Sequence, residues 1–127
     1  MSKYPSELLY TKDHEWARVE ADGLVRVGIT QYAVDQLGDV TLVDLPKVGA
    51  KLADHGHFGD IESVKTVSEL FAPLAGEIVE IHAALHDRPE LVNESPYEQG
   101  WMVLIRPDGP VEGLMDVAAY EAFLGSL

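Results

Sequence analysis

The chain has 127 residues, 46% of them hydrophobic, which is enough apolar material for one compact domain with its own core and no need of covalent or metal staples. A formal charge of −13 argues against nucleic acid as a partner and favours electropositive proteins or cationic groups. There is no cysteine, so the protein has no disulfide or thiolate chemistry of its own, and any sulfur redox work must come from something attached.

Residues 1–12 hold neither the apolar stretch of a signal peptide nor an Arg-rich amphipathic pattern, and no apolar run approaches the roughly 20 residues that cross a bilayer. The expectation is a bacterial-type cytoplasmic protein without membrane contact, with a processed organellar form left open. The first element is a hairpin. Residues 14–20 alternate Glu15, Ala17 and Val19 against Trp16 and Arg18, and Asp22-Gly23 turns the chain into a second strand over 24–29. Thr30 has the side chain of an N-cap for a short helix over 31–37, and Gly38 stands where a left-handed C-terminal residue is wanted. Extended structure resumes over 40–45 and is closed by Pro46.

Two further strands, 58–62 and 67–71, flank Ser63-Val64-Lys65-Thr66, which puts Lys65 at a reversal. After the break at Ala72-Pro73, a strand is expected over 77–82, and Trp101 to Arg106 reads as a continuous, fully buried strand with Trp101 and Ile105 in the core. Asp116 caps a C-terminal helix over 117–124, which would press Val117, Tyr120 and Leu124 onto the sheet. The segments 23–27 and 76–80 are alike, and Leu42-Val43-Asp44 before Pro46 echoes Leu91-Val92-Asn93 before Pro96. Two similar half-sheets would follow, though turn chemistry alone generates such matches.

Few residues offer chemistry. Of five histidines only His55 and His57 have even partial metal-ligand spacing, and with no cysteine beside them a solvated loop is the better reading; no metal site is expected. His14-Glu15-Trp16 lacks the second histidine of a zinc-protease helix, and there is no nucleophile elbow, P-loop or dinucleotide fingerprint, so the chain is not expected to be an enzyme. Lys65 is one of five lysines, and on periodicity alone it would be an ordinary turn lysine in a small acidic interaction protein.

Its neighbours point elsewhere. Gly59-Asp60-Ile61-Glu62-Ser63-Val64-Lys65-Thr66-Val67, followed by Ala72-Pro73 and Gly76-Glu77-Ile78, resembles the lipoyl-attachment hairpin of the glycine cleavage system H protein family. The resemblance extends through His14-Glu15-Trp16, Gly28-Ile29-Thr30 with Tyr32-Ala33, Leu37-Gly38-Asp39, Val43-Asp44-Leu45-Pro46, Leu91-Val92-Asn93, Pro96-Tyr97, Gly100-Trp101 and the terminal 119–124. Biotin carriers resemble M-K-M and 2-oxoacid dehydrogenase lipoyl domains D-K-A at this place, where the chain has Val64-Lys65-Thr66. Ala17, Gln36 and the His55/His57 loop depart from the family pattern in details of lining.

The resemblance implies a single lipoyl-carrier domain over 1–127, mainly β, of the barrel-sandwich hybrid kind: a flattened barrel of two small sheets, with a short helix near 31–37 and a C-terminal helix near 117–124. It also implies lipoate covalently attached to Lys65 by a lipoate ligase or lipoyl transferase. The carrier would take an aminomethyl group from a PLP-dependent glycine decarboxylase to a tetrahydrofolate-dependent aminomethyltransferase, and dihydrolipoyl dehydrogenase would reoxidise it; it would be a monomer. The alternative role is a lipoyl relay supplying 2-oxoacid dehydrogenase complexes. A group entering several active sites needs a slender tip and a long tether, which also raises its effective concentration. A cationic, easily hydrolysed cargo calls for a cleft that excludes water and offers a carboxylate. Glu15 is the first candidate for that carboxylate, with Glu69, Asp13 and the backbone around Thr30 behind it.

Overall fold

The structure is a computed structural model describing residues 4–127; the first three residues of the 1–12 stretch lie outside them. The leading hairpin forms as its turn chemistry dictates. Strand β2 (Glu15–Val19) pairs antiparallel with β3 (Val25–Ile29), and Gly23, at φ +87°, closes the turn by donating its N–H to the Glu20 carbonyl at 3.0 Å. A two-residue strand β1 (Leu9–Tyr10) adds to the outside of β2. Helix α1 (Gln31–Leu37) starts at the Thr30 N-cap, whose hydroxyl accepts from the Ala33 N–H, and ends at Gly38 with φ +78°. The remaining strands are β4 (Val40–Asp44), β5 (Lys51–Leu52), β6 (His57–Ser63), β7 (Val67–Phe71), β8 (Gly76–Ile81) and β9 (Val103–Pro107). Short helices α2 (Ala84–Asp87) and α3 (Leu91–Glu94) lie between β8 and β9, and α4 (Val117–Gly125) closes the chain, capped by Asp116.

All pairings are antiparallel and fall into two sheets: six strands in the order β1-β2-β3-β9-β8-β5, and three in the order β4-β6-β7. One apolar core joins their inner faces, with Val25, Val27, Ile78 and Ile105 from the large sheet against Val43, Ile61 and Leu70 from the small one. The expected mainly β, two-sheet architecture is thus present, but among the described residues the hydrogen bonding does not close into a barrel.

A second cluster, Leu8, Tyr10, Trp16 and Tyr120, lies under α4. It alters the expected alternation in β2. With one face on the main core and the other under α4, Glu15, Trp16 and Ala17 are all buried, whereas Val19 runs past the core and is exposed. The Trp16 indole fits because residue 28 is glycine: a Cβ there would come within 2.6 Å of the ring, and the indole N–H donates to the Pro96 carbonyl at 2.9 Å.

Three expectations need correction. Ile105 is fully buried, but β9 begins only at Val103. Trp101 is partly exposed, its ring stacked on His82 and 4.4 Å from the Arg26 guanidinium carbon, and Arg106 is exposed. The echo of 42–44 at 91–93 joins a strand to a helix, since Leu91 and Val92 bury one face of α3, so the two sheets are not similar halves. His57 is not in a loop but opens β6, where it pairs with Asp60 at 2.9 Å.

Candidate functional site

Lys65 is exposed at the tip of the β6–β7 hairpin. The reversal is set by Ser63, whose Oγ accepts from the N–H groups of Lys65 and Thr66, both at 3.2 Å, while its own N–H donates to the Thr66 carbonyl. The tip is tied to the body through Val64, whose N–H donates to the Asp39 carbonyl at 3.0 Å. The 38–40 segment is in turn clamped by Asn93, whose Oδ1 accepts from Val40 N–H and whose Nδ2 donates to the Gly38 carbonyl, both at 2.8 Å. Gly38 supplies a positive φ and also room: a Cβ there would meet Lys65 Cε at 3.0 Å. The lysine thus leaves a braced backbone with its methylenes along a bare glycine. Val64 and Val67 on the tip, and Leu42 in register with Glu62 on β4, expose apolar surface around it.

Beside the tip is a cleft of about 230 Å³ between β7, the start of β2 and α1. Five consecutive residues, Thr66 to Leu70, line one wall, and Tyr32, Ala33, Gln36 and Leu37 of α1 line the other. The three acidic residues singled out from the sequence, Asp13, Glu15 and Glu69, come together on it, with His14. Glu69 is exposed at the rim. Glu15 is not the rim residue that strand alternation allows: it is 2% exposed. One carboxyl oxygen, Oε2, accepts from Phe71 N–H at 2.8 Å, and Oε1 is buried with no hydrogen-bond partner among the described residues. Loss of water pushes its pKa up to about 8, with Asp13 adding to the rise, while the Phe71 amide and Thr11 draw it part of the way back.

Thr30 does not contribute its backbone to the cleft. Its N–H donates to the His14 carbonyl at 2.9 Å and its carbonyl accepts from Val34, so both groups are committed. Three participants were not singled out from the sequence: Asn93, Ser63 and His14. Asn93 lies in a stretch whose sequence signals, the family likeness and the echo of 42–44, say nothing of its side-chain clamp. Ser63, two residues before the tip, carries a readable turn signal.

A cation entering this cleft would draw the proton off Glu15 and supply the partner that Oε1 lacks among the described residues. Nothing in it resembles a nucleophile with its base. The sequence is similar over residues 8–126 to the family model described as glycine cleavage H-protein. It is 51% identical over 122 residues to a glycine cleavage system H protein of Geobacillus kaustophilus, covering 94% of this chain and 95% of that one. With the corresponding protein of Oceanobacillus iheyensis it shares 52% over 122 residues, covering 94% and 96%. Among solved structures, a glycine cleavage system H protein from Mycobacterium marinum superposes with a TM-score of 0.89 at 40% identity, covering 95% of this chain and 98% of that one.

Proposed function

The chain belongs to the glycine cleavage H-protein family, and from that premise we propose that Lys65 Nζ is the nitrogen acylated by lipoate and that Glu15 receives the cationic cargo of the arm. The protein is a lipoyl carrier of the glycine cleavage system and not a catalyst. The matched relatives do not favour the relay role for 2-oxoacid dehydrogenases.

The observation that carries the attachment site is the exposed, braced tip in a family that carries lipoate. The residues fit such a group. Lys65 projects from the reversal, Gly38 leaves a groove along its methylenes, and the adjoining cleft holds a buried carboxyl oxygen with no partner among the described residues. When attached, lipoate supplies a reversible disulfide, the redox sulfur that a chain without cysteine lacks. The protein's own residues do the rest. Ser63, Asp39 and Asn93 hold the tip so that little backbone motion accompanies entry into a partner. The walls of α1 and β7 flank the cleft on two sides and limit the access of water to it. Glu15 gives up its proton when a cation arrives and then holds that cation with a charge-assisted hydrogen bond. Asp13 and Glu69 add negative potential at the mouth.

The partners are those of the glycine cleavage system. We assign them as the PLP-dependent decarboxylase, the aminomethyltransferase, dihydrolipoyl dehydrogenase and the lipoylating enzyme, met in the bacterial cytoplasm. Among the described residues no helix is long and apolar enough to cross a membrane. The test is reconstitution: with the decarboxylase and labelled glycine, lipoylated protein should support release of labelled carbon dioxide, and Lys65→Arg protein treated identically should not. Equal turnover with Lys65→Arg would refute the assignment.

A further inference from the structure

We propose that His14 is a fixed, neutral hydrogen-bond donor on the wall of the arm cleft, held in one tautomer by Tyr120 of the C-terminal helix and offered to a neutral acceptor, such as a carbonyl oxygen, on the tethered arm. The ligand half of this inference rests on the Lys65 reading above; the tautomer half does not.

Each hydroxyl proton in this buried site needs an acceptor within the protein. Thr30 is fully buried, and its Oγ1 accepts from Ala33 N–H at 3.3 Å as the N-cap of α1. Its hydroxyl proton needs an acceptor, and Tyr120 Oη lies at 2.8 Å. Tyr120 is also fully buried, so with its oxygen accepting from Thr30 its own proton goes to His14 Nδ1 at 2.9 Å. Were Nδ1 protonated instead, it would donate to Tyr120 Oη, and either the Tyr120 or the Thr30 hydroxyl proton would be left without an acceptor. The direction Thr30 to Tyr120 to His14 therefore places the imidazole proton on Nε2. Burial disfavours the charged ring, and Asp13 only partly opposes this.

The ring is also fixed in place. It lies against Tyr32 with centroids 4.4 Å apart, and Phe123 of α4 flanks it at 5.9 Å. The backbone of His14 has φ +66°, in the left-handed region that non-glycine residues rarely occupy. It is held there by its N–H to the Thr11 carbonyl at 3.1 Å and by its carbonyl accepting from Thr30 N–H at 2.9 Å. Backbones held in this region cluster at active sites and ligand clamps. The outcome is a cleft wall on which a neutral donor, His14, adjoins a proton-bearing acceptor, Glu15. Tyr120, far along the chain, is thereby a positioning residue for the cleft.

Long-range proton–nitrogen NMR of the imidazoles in nitrogen-15-labelled native protein at neutral pH is the test. The expected result is a neutral His14 with its proton on Nε2. Tyr120→Phe and Thr30→Val should convert it to a mixture of tautomers, and Thr30→Ser should keep the native pattern; a mere packing role would lower the melting temperature and leave the tautomer unchanged. On lipoylation, verified by mass, the His14 Nε2–H signal should shift while that of exposed His86 stays put. A native His14 protonated on Nδ1, or charged, overturns the proposal, as does a His14 signal indifferent to loading. The native measurement needs no variant to fold. Protein that gains no mass overturns the Lys65 reading instead.

Discussion

Glu15→Gln should make the unloaded protein more stable at neutral pH, and the gain should grow with pH in a defined window. The folded chain keeps a proton on Glu15 up to about pH 8, whereas the unfolded chain releases it near the ordinary glutamate value of 4.5. Between those values the folded state binds more protons, so raising the pH favours unfolding. The group's contribution is fully present below about 4.5, is lost as pH rises towards 8, and is level beyond. At 1.36 kcal/mol per pH unit, the cost of the native carboxyl at pH 7 is ~3 kcal/mol, on the order of 5 kcal/mol when the window is complete. Glutamine copies the protonated acid and can still accept from Phe71 N–H, so the variant should escape this cost. Urea unfolding of both proteins from about pH 4.5 to 9, read as the difference between them, cancels every other titrating group. Stabilities that meet near pH 4.5 and diverge towards pH 8 are expected. A difference independent of pH, or a native protein that gains on the variant as pH rises, would refute the reasoning.

Ile105→Ala should lower unfolding free energy by roughly 2–5 kcal/mol, because the side chain lies in the core between the sheets, and partly exposed Trp101→Ala should cost less; thermal melts of both give the order. Asn93→Ala leaves the Val40 N–H and the Gly38 carbonyl without their partner and should destabilise by about 1–3 kcal/mol, with faster amide exchange at Val64 by hydrogen–deuterium exchange. With a formal charge of −13, association with the basic docking face of a partner enzyme should slow as salt is raised, seen as a falling on-rate in stopped-flow mixing, while dissociation changes little.

What the sequence disclosed was what short-range chemistry governs. The 15–29 hairpin and the 31–37 helix follow from Asp22-Gly23, Thr30 and Gly38, each acting on its immediate neighbours. Two-residue strands such as Leu9–Tyr10 and Lys51–Leu52 are defined only by the partner strand, and no local pattern announces them. Leu91-Val92-Asn93 reads equally well as strand or helix, since three residues hold less than a helical turn of periodicity. At the site, the exposed turn position of Lys65 was legible from the strands that flank Ser63-Val64-Lys65-Thr66. The burial of Glu15 was not, because alternation tells one strand face from the other and is silent on whether a helix or hairpin covers both. His14 escaped notice for a similar reason: its partner Tyr120 is 106 residues away, and only the fold brings them within 2.9 Å.

The account stands or falls on which atom is acylated. Protein made in cells supplied with lipoate and a lipoate ligase, digested and mapped by tandem mass spectrometry, should carry one lipoyl amide on the peptide containing Lys65, and Lys65→Ala protein should carry none. Native protein of unmodified mass under those conditions, or a lipoyl group found on another lysine, would contradict it.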